Sequence, residues 1–252
     1  MKQNKTIQPF LFWIFFMVGM TALSAISLLL NFSIDGTFFL EETGLLVLTF
    51  LLNHFWLHVP IYLKSNMSIP RQLNTNIFPI VYAIFLITNI ITFIPKTNGF
   101  DIVVFSSMAL VGSVLEEFTF RGIILGKLLR NLQSTKFNAV IASVMLSSLL
   151  FCLSHLINLT HQDLAMTATQ VLTTFALGLI LSVMYLRSRS LVWGIFLHFV
   201  LDFQSFLQNG LAHATSLHPS ISSGVIPLIV AIIFTSIMLR PKKQKEINFQ
   251  IS

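Results

Sequence analysis

Charge is scarce in this 252-residue chain: Asp, Glu, Lys and Arg make up 10% of it, against 55% hydrophobic residues. A soluble domain carries roughly 25% charged residues, so the composition excludes an ordinary water-soluble fold. Cysteine is nearly absent too, and the lone Cys152 rules out an intrachain disulfide and a multi-cysteine metal site. Pro60, Pro79, Pro95 and Pro227 stand at or near the ends of apolar runs, where a missing N–H does little harm. No repeat, low-complexity stretch or second domain is visible, so residues 1–252 read as a single integral membrane domain.

The chain does have long apolar runs, and crossing a bilayer takes about 20 helical residues. Eight runs can be marked near 10–30, 44–63, 77–94, 102–125, 139–156, 166–186, 191–207 and 224–239. The expected class is an all-α polytopic membrane bundle of about eight transmembrane helices, seven or eight. Basic residues alternate between the connections. Lys2, Lys5, Lys64, Arg71, Lys127, Arg130, Lys136, Arg187, Arg189, Arg240, Lys242, Lys243 and Lys245 fall on one side. The other side holds Asp35, Glu41, Glu42, Asp101 and Asp163, with Lys96 as its one base. The positive-inside rule then places a multi-pass protein in the cell membrane with both termini cytoplasmic. The net charge of +6 reports this topology rather than nucleic-acid binding. The basic tail 240–252 contacts anionic lipid head groups on this reading. The first run exceeds a signal-peptide core in length and is taken as a retained helix.

Charged groups inside the runs carry the functional reading. The fourth run contains Leu115-Glu116-Glu117-Phe118-Thr119-Phe120-Arg121. Charge at membrane depth costs about 3 kcal/mol or more per group, so it marks a protein interior or a wet cavity with a task. Glu117 and Arg121 are four apart and can pair on one helix face. Glu116 is turned about 100° away, so one carboxylate can face a cavity while Arg121 holds the other. Two close carboxylates in low dielectric do not both ionise easily, and a carboxylate poised near neutrality suits a general base. Ser147, Phe151 and His155 share a stripe on the fifth run, and His198 and Asp202 share one on the seventh. His54, His58, His161, His213 and His218 lie near run boundaries or in outer connections and read as interfacial.

Two chemistries fit this set. Glu116 could deprotonate water for attack on an amide carbonyl, with His155 or His198 steadying the nucleophile and oxyanion and Asp202 as their partner. Alternatively Glu116, His155 and His198 could bind a divalent metal such as zinc, which lowers the pKa of its bound water. No HExxH is present. Helix heights pose a difficulty. A fifth helix from Ala139 puts His155 about 24 Å from its cytoplasmic end, whereas His198 lies about 10 Å from its own. The motifs meet if the fifth helix starts later or tilts, with the fourth running past Lys127. Gly122-x-x-x-Gly126 would allow close helix contact there.

Glu116-Glu117-x-x-x-Arg121, Phe151-x-x-x-His155 and His198-x-x-x-Asp202, in this order, resemble the CPBP family of CAAX prenyl endoproteases and Abi-type bacterial relatives. The resemblance covers a core of about 102–207. It implies an intramembrane protease with catalytic Glu116, supporting Glu117 and Arg121, and His155 and His198 as ligands or oxyanion groups, with Asp202 in the last position. Asn stands there in Ras-processing members; an ionised Asp would oppose an oxyanion and must orient His198, take a proton or favour a metal. The substrate implied is a membrane-associated peptide or protein, prenylated or of bacteriocin type, in peptide maturation or self-immunity. Two rivals come from other classes. A proton-coupled carrier also uses Glu, His and Asp chains, but no inverted repeat is visible. A non-catalytic scaffold or immunity protein would keep the network for packing alone.

Overall fold

A computed structural model of the chain, described over residues 7–132, 137–160, 162–210 and 222–244, is helical throughout, with no strand among the described residues. The helices are α1 (Gln8–Leu29), α2 (Ile34–Leu52), α3 (Ile69–Thr75), α4 (Ile77–Phe93) and α5 (Gly99–Glu116). α5 runs through a π-helical stretch, Glu117–Leu125, into α6 (Gly126–Asn131). Then come α7 (Phe137–Ser154) with a 3₁₀ turn His155–Thr160, α8 (Leu164–Ser188), α9 (Leu191–Asn209), α10 (Ser222–Met238) and α11 (Pro241–Gln244). The polytopic all-α class holds.

Among the described residues, six helical spans are long and apolar enough to cross a membrane: Gln8–Leu29, Ile77–Lys96, Gly99–Asn131, Ala139–Thr160, Leu164–Ser188 and Leu191–Asn209. Two of the eight expected runs fall short of that measure. The last forms a helix of 17 residues. The second is displaced: α2 occupies Ile34–Leu52 rather than 44–63. Ser33 starts it early, its hydroxyl accepting the Gly36 N–H at 3.2 Å, and Asp35 adds a favourable charge in the first turn. Glu41 and Glu42, expected in a connection, therefore lie well inside a helix.

At its far end α2 widens into a π turn, Asn53–Leu57, and breaks at His58, which is left-handed at φ 50°. Pro60 follows and the chain runs non-helically to Leu63. Irregular backbone at this depth needs partners from the protein. Asn53 supplies two, accepting from Val59 N–H at 2.9 Å and donating to Val59 C=O at 3.0 Å. Lys127 Nζ donates to Leu57 O (3.3 Å), Arg130 to His58 O (3.2 Å), Leu191 N–H to Tyr62 O (2.9 Å) and Ser190 Oγ to Leu63 O (2.6 Å). Arg187 donates to Lys243 O at 2.7 Å. These bonds bring together the basic connections around residues 64, 127–130, 187–189 and 240–243, as their charge pattern requires. Lys2, Lys5, Lys136, Lys245, His161, His213 and His218 lie outside the described residues.

The interior is built around the π stretch and α8. Phe12 and Phe16 of α1, Leu45 of α2, Phe120 and Ile123 of the π stretch and Phe151 of α7 form one buried cluster. α8 joins two others, through Val183 and Tyr185 on one side and Leu181 and Met184 on the other. In lipid such contacts gain by packing rather than by leaving water. Close approach therefore matters: a Cβ on Gly178 would meet Ser148 Cβ at 2.9 Å. Ile14, Phe15, Val18, Phe85 and Ile229 point outward, as a lipid-facing surface requires.

Candidate active site

The site begins where α5 widens. Glu116 closes the regular helix and Glu117 opens the π-helical stretch, a geometry that recurs at functional sites. Ser147 of α7 braces the widened stretch, donating to the Phe120 carbonyl at 2.8 Å. Arg121 pairs with Glu117 Oε1 at 2.7 Å, and both side chains are fully buried. Its guanidinium also lies 4.3 Å from the centre of the Phe151 ring. A cation over an aromatic face gains most where water is excluded.

The two carboxylates leave the helix on adjacent faces, as their spacing requires, yet they converge on one imidazole. His198 of α9 meets Glu117 Oε1 through Nδ1 at 3.0 Å and Glu116 Oε2 through Nε2 at 3.2 Å. Each contact needs a proton between its two atoms, so this trio holds two. Asp202, one turn further along α9, places Oδ2 3.6 Å from His198 Nε2. Glu117 is sealed, whereas the side chains of Glu116 and Asp202 are 25% and 34% exposed. The open side of the cluster therefore belongs to Glu116 and Asp202.

His155 joins through Phe151. That ring stands edge-on to both imidazoles, with centroids 5.1 Å from His155 and 6.0 Å from His198. His155 Nδ1 bonds the Phe151 carbonyl at 3.1 Å. A carbonyl oxygen only accepts, so Nδ1 carries the proton and a neutral ring presents a lone pair at Nε2. All six residues singled out in the sequence thus gather at one place, on α5, the π stretch, the 3₁₀ turn after α7, and α9.

Zinc is a separate matter. Among the described residues no group of three or more His, Cys, Asp or Glu side chains is close enough to hold a metal ion. His198 turns both nitrogens to carboxylates, Nδ1 to Glu117 and Nε2 to Glu116 and Asp202, and His155 stands apart from it across the Phe151 ring. Glu116, His155 and His198 as arranged do not fit zinc.

Two neighbours escaped the sequence reading. Gly194 lies one turn before His198, and a Cβ there would sit 2.8 Å from Glu117 Oε2. The signal was present in the equal spacing of Gly194, His198 and Asp202. Glu42 of α2 hangs over Gly112, one turn before Glu116; a Cβ on that glycine would lie 3.8 Å from Glu42 Oε2. Only the Ser33 cap, by starting α2 early, hints at it.

Residues 98–204, under half of the chain, match the family described as type II CAAX prenyl endopeptidase, Rce1-like. Over that stretch the chain is similar to the CPBP/CAAX proteases. The match includes every residue of the cluster just described. No curated protein and no solved structure gives a significant match. That family is one of intramembrane CAAX-type proteases, and the matched stretch lies within a chain whose apolar helices suit a multi-pass membrane protein.

Proposed function

We propose that this protein is an endopeptidase in which Glu116 activates water against a peptide bond at the membrane. The observation that carries the reading is the partly open Glu116 carboxylate held against His198, which is anchored behind by the buried Glu117–Arg121 pair. Fixed dipoles and charges in a dry site are worth more than the same groups in water.

The roles follow from the hydrogen bonds. Glu116 accepts a proton from water as its oxygen attacks the scissile carbonyl. His155, presenting a lone pair at Nε2, accepts the water's other hydrogen and aims the nucleophile. His198 shares its Nε2 proton with the developing oxyanion, while Nδ1 stays bound to Glu117. Glu116 then passes its proton to the leaving amine. A carboxyl product and an amine product result, and the enzyme regains its starting state. Asp202 holds His198 in orientation, which an acceptor can do and an oxyanion donor need not. No step passes through a metal.

The substrate class is a membrane-associated peptide, CAAX-like or of bacteriocin type, in maturation or self-immunity; both termini of the enzyme face the cytoplasm. Purified protein should cleave members of a panel of prenylated and unprenylated membrane peptides, and Glu116→Gln should lower the rate by about 100-fold or more. Cleavage unchanged in Glu116→Gln would end the proposal. Cleavage should also withstand chelator.

A further inference from the structure

Glu42 takes no part in the chemistry above, yet it points into the same place. Its Oε2 is fully buried and has no hydrogen-bond partner among the described residues. Glu116, Asp202 and His198 are its charged neighbours across the gap between α2 and α9, with Glu41 beside it on its own helix. Gly112, which bears no side chain, lies beneath it on α5. Phe38 closes the far end, packing 3.6 Å from the Cβ position of Gly112 and edge-on to Phe206 with centroids 6.1 Å apart. Glu42, Glu116 and Asp202, from α2, α5 and α9, therefore form one acidic group over the α5 turn of Gly112.

Positive charge is short beside these three carboxylates: His198, the cation next to Glu116 and Asp202, is already shared with Glu117. α2, α5 and α9 contain no Lys or Arg, and Arg121 is committed to Glu117 behind His198. A buried carboxylate oxygen without a partner costs free energy unless something pairs with it. A cleft lined with one sign of charge draws a guest of the other.

Resting on the protease reading, we infer that Glu42 and Asp202 receive a cationic group of the substrate, an ammonium or guanidinium carried one helical turn beyond Glu116. The enzyme thereby selects peptides with a basic residue near the scissile bond. Glu42 is a specificity residue: it sets which peptide is held and does not touch the reacting atoms.

The test uses binding, so that it is independent of turnover. Full-length protein carrying Glu116→Gln is titrated with short labelled apolar peptides, prenylated and unprenylated. Lysine, norleucine or glutamate is walked through their positions. At one position lysine should bind about tenfold or more tighter than norleucine, the range expected of a hydrogen-bonded charge. Adding Glu42→Gln should erase that difference and leave norleucine peptides bound as before. Equal binding of lysine and norleucine at every position overturns the inference, as does a lysine preference that survives Glu42→Gln. Loss of norleucine binding in the double variant assigns Glu42 to holding the fold and overturns it too. If no peptide binds, the selection is refuted, and the cleavage assay judges the protease reading by itself.

Discussion

Gly194 shows how tightly the cluster constrains single residues. Any side chain there would press on Glu117 Oε2, the movable end of a carboxylate held by Arg121 and His198. Gly194→Ala should therefore shift Glu117 without breaking the packing of α9. A displacement near 1 Å can cost about 100-fold in rate. We expect cleavage to fall by about tenfold or more in kcat, with KM and the thermal unfolding midpoint little changed; a large loss of stability would mark Gly194 as a packing residue only. Arg121→Met should act differently. It leaves Glu117 buried and without its cation, and breaking one side of such a pair costs about 3–5 kcal/mol. Denaturation of the variant in detergent should show that loss, with Glu117→Gln/Arg121→Met recovering part of it. Of these residues, the Glu117–Arg121 pairing was legible from a spacing of four, whereas Gly194 was not, because a missing side chain has no chemistry to notice.

Among the elements, the segment after α2 departs most from its apolar composition. Residues 58–63 look hydrophobic enough to continue a helix, but His58 turns left-handed and Pro60 offers no N–H. Gly122 and Gly126 admit this segment: Cβ atoms there would meet Ile61 at 2.9 Å and Val59 at 2.8 Å, with Leu191 of α9 at 3.5 Å from the one on Gly122. Asn53→Ala removes both bonds to Val59, each worth about 1 kcal/mol. The expected result is a lower unfolding midpoint and faster proteolysis near residue 60; an unchanged midpoint would show that Lys127 and Arg130 suffice. The helix heights are also settled here. α7 begins at Phe137, no later than expected, and the fourth helix runs on to Asn131. Leu191 packs beside Gly122, six residues past Glu116, so α9 starts about 9 Å from the level of Glu116. His198, seven residues in, returns to that level. The hairpin of α6 and α7 extends beyond the start of α9.

At the scale of the whole molecule, the bonds between basic connections give the bundle one positively charged end. The proposed orientation, with this end in the cytoplasm, rests on the positive-inside rule and is open to direct measurement. Cys152 is the one cysteine and is buried, so Cys152→Ala provides a clean background. Asn66→Cys and Lys242→Cys should react with an impermeant maleimide from the cytoplasmic side, and Phe100→Cys and Leu164→Cys from the opposite side. Labelling of Lys242→Cys from outside would refute cytoplasmic ends.

Sequence alone determined the helical membrane class, the alternation of basic connections along the chain and the three motifs, because hydropathy, helical period and charge are properties of neighbouring residues. The tertiary structure decided what those motifs form. It turned two carboxylates from adjacent faces onto one imidazole, set Glu42 of α2 over Gly112, and did not gather Glu116, His155 and His198, the ligands of the metal alternative, closely enough to hold an ion. Those outcomes depend on the relative height and rotation of α2, α5, α7 and α9. Packing between distant parts of the chain sets both, and no local pattern records it.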